Sequence, residues 1–371
     1  MKEIIERIGT KTIIIASSIF LGIVVLVIAG ALIYNKFFYK RSFEDIETIM
    51  TDATINYCED HKNSLPKSNG ETNTIKVNKL VSGEYMKSIS DYLKDDSITC
   101  KANVNITKVN KQYRYTPILD CGEKYQTELL VDKIKNSTKI VTSGDGLYEL
   151  NNELVYRGEN PNNNIELGKY KWKIVKITDD KLVLIFNDYI KDDEPKTWDD
   201  RYNKEKEEDV GINDYTVSRA LEYVTKLYNG KKLFNQDDKL LISSFNLYIG
   251  KRKEEETNKT GEIEKSKILE NQYIGLLPAY DYMNASLDNN CTTTDNYSCT
   301  NYNYLAPYEK SWWLLTGDAS NSYKVYKTSN YSNLFTTNAS GEANFRPIIT
   351  LVKDTIYIDG DGTNKHPYTI K

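Results

Sequence analysis

An α+β fold is predicted for this chain, with an apolar helix ahead of two polar folded units. Three observations predict it. Residues Thr12 to Ile33 carry no charge and are almost all aliphatic. Beyond them, apolar residues recur at spacings of three and four in some segments and alternate in others, the periods of helix and strand. The alternating segments are short and separated by turn residues, which favours antiparallel pairing over long parallel crossovers.

At about 1.5 Å per residue the uncharged run gives a helix roughly 33 Å long, enough to cross a hydrocarbon core of about 30 Å. It is longer than the apolar core of a secretory signal, about 7–15 residues. It therefore reads as a retained anchor in contact with membrane lipid, with residues 1–40 forming a cytoplasmic stub and a span over about 12–34. The flanking charges do not orient it: Lys2, Arg7 and Lys11 precede the run, and Lys36, Lys40 and Arg41 follow it.

Cysteine usage breaks that tie. Ser97–Val109 and Gln112–Leu119 alternate on either side of Asn110-Lys111, so a hairpin about that turn sets Cys100 opposite Cys121. Adjacent strands place Cα atoms about 5.5 Å apart, a separation that suits a disulfide. Cys291 and Cys299 close a polar loop that has no apolar residue to hold it, and a second bridge is expected there. Each would be worth about 2–4 kcal/mol. Cys58 is left over. Two disulfides point to an oxidising exterior, hence to a single-pass protein of the cell membrane whose C-terminal part is extracellular.

Within residues 41–138, Phe43, Ile46, Met50, Ala53 and Tyr57 form one apolar stripe over a helix from Ser42 to His61, with Ser42 and Asp45 as a capping box. A strand at Thr74–Val77, a helix using Leu80, Met86, Ile89, Tyr92 and Leu93, the hairpin, and a third strand at Gln126–Asp132 follow. The polar stretch from Asn136 to Gly146 is the connection. Residues 144–371 are long enough for their own core. Strands are expected at Tyr170–Ile177 and Lys181–Phe186, and a helix capped by Asp214 ends at Asn229-Gly230. The charged stretches Lys191–Asp209 and Lys251–Lys267 read as solvated. Phe345–Leu351 reads as a strand that Pro347 demotes to an edge or a bulge.

The outline of the first part, a membrane helix, an amphipathic continuation and a small antiparallel sheet with a late disulfide, resembles pilin-like or pseudopilin-like proteins. Several segments of the second part resemble a C-type-lectin-like domain of bacterial surface proteins, related in fold to the formylglycine-generating, sulfatase-modifying group. They include Arg157-Gly158-Glu159-Asn160-Pro161-Asn162-Asn163, Gly211-Ile212-Asn213-Asp214, Ser311-Trp312-Trp313-Leu314-Leu315-Thr316 and Phe345-Arg346-Pro347-Ile348-Ile349-Thr350-Leu351. The resemblance implies an α+β domain of short twisted antiparallel strands and long loops. The residues themselves make Trp312, Trp313 and Arg346 candidate ligand-binding residues, since one indole and the guanidinium can stack on a planar or sugar ligand.

Composition narrows the chemistry. A net charge of −4 opposes a nucleic-acid partner. Two distant histidines, His61 and His366, oppose a histidine metal site, and no zinc spacing, phosphate loop or nucleophile elbow occurs. Asp359-Gly360-Asp361-Gly362 and the asparagines at 160 and 162–164 are better explained by turns than by calcium. No cofactor, metal or catalytic residue is expected. Tyrosine outnumbers phenylalanine 29 to 9, which suits a polar recognition surface. The sequence thus points to a membrane-anchored extracellular protein with a non-catalytic head that binds a protein or glycan. The alternative is a pilin-like filament component, and an enzyme of the formylglycine-generating fold comes third.

Overall fold

A computed structural model describes residues 20–21, 23–27, 30, 40–190, 197–291, 302–306, 310–328 and 333–371. The chain divides into two compact units. One comprises residues up to Ser64 with Thr74–Val104 and Pro117–Gln126, and the other Leu65–Asn73, Asn105–Thr116 and Thr127–Lys371. The α+β class with mostly antiparallel sheets stands. The transmembrane helix expected over 12–34 is corrected: among the described residues, no helix is long and apolar enough to cross a membrane. The described positions of that run (20–21, 23–27 and 30) are helical, and its remainder lies outside the described residues.

In the smaller unit the helix Phe43–Asp60 starts at Ser42. The Asp45 amide donates to Ser42 Oγ at 3.0 Å, and the Ser42 amide donates to the Asp45 carboxylate at 3.4 Å. This reciprocal cap satisfies two amides that a helix start leaves without partners. Ile46, Met50, Ala53 and Tyr57 are buried as the stripe predicts, and so is Glu47, whose carboxylate accepts from Tyr125 Oη at 3.0 Å. Tyr125 also stacks on Phe43 with ring centroids 4.7 Å apart. The expected second helix is two shorter ones, Val77–Ser82 and Ile89–Leu93. Strands Thr72–Lys76, Lys101–Val109 and Gln112–Asp120 form a three-stranded sheet. Cys100 and Cys121 are disulfide-bonded, as the expected hairpin predicts. Cys291 is also disulfide-bonded, while its expected partner Cys299 lies outside the described residues.

The larger unit is built on an eight-stranded antiparallel sheet. Its path runs through Gly275–Leu276, Pro347–Leu351, Lys181–Phe186, Tyr170–Thr178, Glu153–Arg157 and Gly146–Leu150. Asn164–Leu167 and Ile242–Ser243 add to it alongside. Pro347–Leu351 is not the edge strand that its proline suggested, since it lies between neighbours on both sides and is buried throughout. Proline is tolerated there because it is the first residue of the strand, where one amide fewer is needed. Trp313–Gly317, Lys324–Thr328 and Leu334–Asn338 form a smaller sheet. The segment expected as a strand at 126–132 instead contributes to a helix, Leu130–Ser137, which buries Leu130, Val131 and Ile134. Asp214 caps the short 3-10 turn Tyr215–Val217, and Ser218 caps the helix Arg219–Asn229 that follows.

Both stretches expected to be solvated contribute buried residues. Trp198 and Asp199 are fully buried. The Trp198 indole donates to the Leu314 carbonyl at 3.0 Å, and the Asp199 carboxylate accepts from the amides of Arg201, Ile212 and Arg219. Arg252 and Glu264 are likewise buried as a two-pronged pair at 2.9 and 3.1 Å, with the guanidinium also donating to the Glu256 and Asn258 carbonyls. Such a pair is costly to break from one side, because the remaining charge stays buried without its partner. Arg252→Ala is expected to destabilise the larger unit by about 3–5 kcal/mol, read as a lowered urea midpoint. Replacing both residues with apolar ones of similar size, Arg252→Met with Glu264→Leu, should recover most of that loss.

Candidate functional site

A groove of about 710 Å³ lies in the larger unit. Four separate segments meet there: the turn before Thr72, the hairpin tip at Val109–Gln112, the C-terminal end of the helix Arg219–Asn229 with Gln236 and Lys239, and Asn271–Ile274. Each brings its polar residue for a local reason. Asn110 and Asn271 sit at φ +56° and +57°, a left-handed conformation that asparagine tolerates better than most residues. Asn229 is the last residue of its helix.

The floor is an aromatic pair. Tyr228 and Tyr273 stack with centroids 5.1 Å apart and planes 15° from parallel. Asn110 Nδ2 donates to the Tyr228 hydroxyl at 3.0 Å, and Asn69 Nδ2 donates to the Tyr273 hydroxyl. The Asn110 amide in turn donates to Asn69 Oδ1 at 2.7 Å. Across the groove Gln236 donates to Gln112. Among the described residues, seven side-chain amides line the groove (Asn69, Asn110, Gln112, Asn229, Gln236, Asn271 and Gln272) together with Lys111 and Lys239, and no carboxylate does. Burial pushes the Tyr228 hydroxyl up to about 12, so it remains a neutral donor at physiological pH. Lys239 lies 5.4 Å above the Tyr228 ring and donates to the Gly230 carbonyl at 3.0 Å. Burial lowers its ammonium below the ordinary lysine value, with Lys231 adding to the effect.

A second cavity, of about 360 Å³, opens beside the central sheet. Its wall holds Lys176 within 2.9 Å of Asp281 Oδ1, 3.1 and 3.3 Å of the Glu153 oxygens and 2.9 Å of the Tyr280 hydroxyl. Burial alone would lower the Lys176 ammonium, but Asp281, Tyr280 and Glu153 hold it above the ordinary value. Burial raises the Asp281 carboxyl against the opposing pull of Lys176.

The residues expected to bind ligand lie elsewhere. Trp312 and Trp313 are 0% exposed and Arg346 is 3% exposed. The Arg346 guanidinium donates to the Phe186 carbonyl at 3.1 Å and the Leu305 carbonyl at 2.9 Å, and stands 5.0 Å over the Trp312 ring. Arg346 and Trp312 do meet, but inside the core, where no face is open to a ligand. Likewise Asn163 and Asn164 are buried and donate to the Ile174 and Gly362 carbonyls. Asp361 accepts from Thr363 within its own turn.

No family model, curated protein or solved structure matches this chain.

Close to the Arg346 cluster, Lys173 donates to Asn164 Oδ1 at 3.0 Å. Burial, reinforced by the Arg346 guanidinium, pushes its ammonium down to about 8. The folded state thus holds this proton less tightly than the unfolded chain does. The penalty is fully present below pH 8 and fades as pH rises from there through the ordinary lysine range. Lys173→Met should raise unfolding stability at pH 7 by about 1 kcal/mol after allowance for solvent screening. That advantage should shrink at pH 10.5, as read from paired urea titrations of both proteins.

Proposed function

We propose that this chain is a non-catalytic recognition protein of an oxidising exterior, and that its groove binds a neutral, hydroxyl-rich ligand, a glycan. One observation carries the reading: a stacked tyrosine pair rimmed by amide side chains, with no carboxylate among the lining residues. Sugar hydroxyls need donors and acceptors at close spacing, and each primary amide supplies both. The C–H faces of a sugar ring pack on aromatic rings, which bring large contact area with little rotamer entropy to lose. Of the two lysines that line the groove, Lys239 is engaged by the Asn229 and Gly230 carbonyls, and Lys111 stands at the hairpin tip. The resemblance to C-type-lectin-like surface domains is consistent with this class of ligand. The Cys100–Cys121 bridge supports the compartment, because such crosslinks persist where thiols are not kept reduced.

A glycan array probed with the full chain tests this. Saturable binding to neutral glycans is expected, and Tyr273→Ala should weaken it about tenfold, near 1.4 kcal/mol. Gln236→Ala, at the exposed rim, should weaken it about threefold, with unchanged circular dichroism for both variants. Binding indifferent to Tyr273→Ala, or no neutral glycan retained above background, would overturn the reading.

A further inference from the structure

The second cavity carries an inference that does not depend on the groove. We infer that it is a binding site for a small organic ammonium ligand, and that Lys265 occupies the cation position as an internal stand-in. Its lining holds three carboxylates, Glu153, Asp179 and Asp281, against two ammonium groups, Lys176 and Lys181. The inner wall carries the same excess of one carboxylate. Lys176 alone faces both Glu153 and Asp281, and its three donors are committed to those carboxylates and Tyr280. One negative charge on that wall is left for another cation to meet. The Glu153 side chain is 14% exposed and that of Asp281 4%, so solvent screens the deficit poorly.

The chain meets the deficit loosely. Lys265, at the end of the short helix Glu262–Lys265, places Nζ 4.0 Å from Glu153 Oε1. The same ammonium stands 5.6 Å from the Tyr248 ring centroid and 5.8 Å from that of Tyr280. Two aromatic faces and a carboxylate around one ammonium is the arrangement that recognises alkylated amines. Lys265 itself is a third exposed, and its ion pair is at the outer limit of contact. Glu153, Tyr248 and Tyr280 all line the cavity, whereas Lys265 does not. A ligand ammonium entering from the cavity therefore reaches the same three groups from the other side.

A second observation points to a ligand. Thr350 lines the cavity and is 2% exposed, yet its hydroxyl has no hydrogen-bond partner among the described residues. A buried hydroxyl without a partner is uncommon, because losing its water is not repaid. Val183, Leu247 and Ile348 supply the apolar floor beside it. The occupant defined by these groups has an ammonium head at Glu153 and the tyrosines and a short aliphatic body over the floor. The volume lies in the range of small-molecule pockets.

Calorimetry on the full chain with n-hexylammonium, hexyltrimethylammonium, n-hexanol and hexanoate tests the assignment. Saturable binding of the two cations is expected, at least tenfold tighter than the alcohol, with no binding of hexanoate. Lys265→Ala removes the competitor at a partly exposed position and should tighten cation binding about threefold or more. Glu153→Gln should weaken it at least tenfold. Should Glu153→Gln unfold, Tyr248→Leu at the half-buried mouth should weaken the cations about threefold while leaving hexanol unchanged. Tyr273→Ala, which removes the groove's aromatic floor, should leave cation binding intact, so the two sites fail or stand separately. Equal affinity for hexylammonium and hexanol, or cation binding unaltered in Lys265→Ala, would overturn the inference.

Discussion

The larger unit depends on a sheet whose inner strands are covered on both faces. Every residue of Pro347–Leu351 is buried, as is every residue of Leu182–Phe186 in the neighbouring strand. No face of these strands is left to water, so helices, loops and the smaller sheet have to supply two apolar covers, and the four tryptophans are all fully buried in doing so. A polar side chain that falls within this zone has to find its partners inside it. Lys176 is such a case. The pairing between Tyr170–Thr178 and Lys181–Phe186 shifts register between Ile174 and Lys176. A shift of this kind re-aims side chains, and here the lysine is met by Glu153 from one neighbouring strand and Asp281 from the helix Ala279–Asn284. The charged cavity wall is a by-product of burying both faces of the sheet.

The same constraint separates what the sequence reveals from what it conceals. Local patterns were readable where the answer is local. The capping box at Ser42 and the Ile46–Tyr57 stripe follow from spacings of three and four residues, and the Cys100–Cys121 crosslink, 21 residues apart, follows from the alternation on either side of Asn110-Lys111. The reading failed where burial comes from distant chain. Asp199 lies in a run of charges, and only the fold shows that it collects amides from positions up to 20 residues away. Arg252 and Glu264 look like surface charges until they are seen to face each other. Pro347 argued for an edge because its missing amide is a local fact, whereas its place at the start of an inner strand is not.

The candidate sites were concealed for a related reason. Asn69, Asn110, Asn229 and Asn271 each look like an ordinary turn or helix-end residue, and nothing in their separate neighbourhoods announces a shared groove. The abundance of tyrosine was a signal, though it did not say which two would stack. Conversely, Trp312, Trp313 and Arg346 drew attention because they are large and aromatic or cationic. Those same properties suit them to filling and tying the core, where Arg346 joins Phe186 to Leu305 through their carbonyls.

Cys58 closes the account of the cysteines. It is a free thiol enclosed by its helix and the residues packed on it, and burial raises it above the ordinary thiol range despite Lys62 and Lys79 nearby. Exchange chemistry runs through the thiolate. A sulfur that is both shielded and slow to ionise is a poor attacker, so an unpaired cysteine can share a unit with the Cys100–Cys121 crosslink without reshuffling it or linking one molecule to the next.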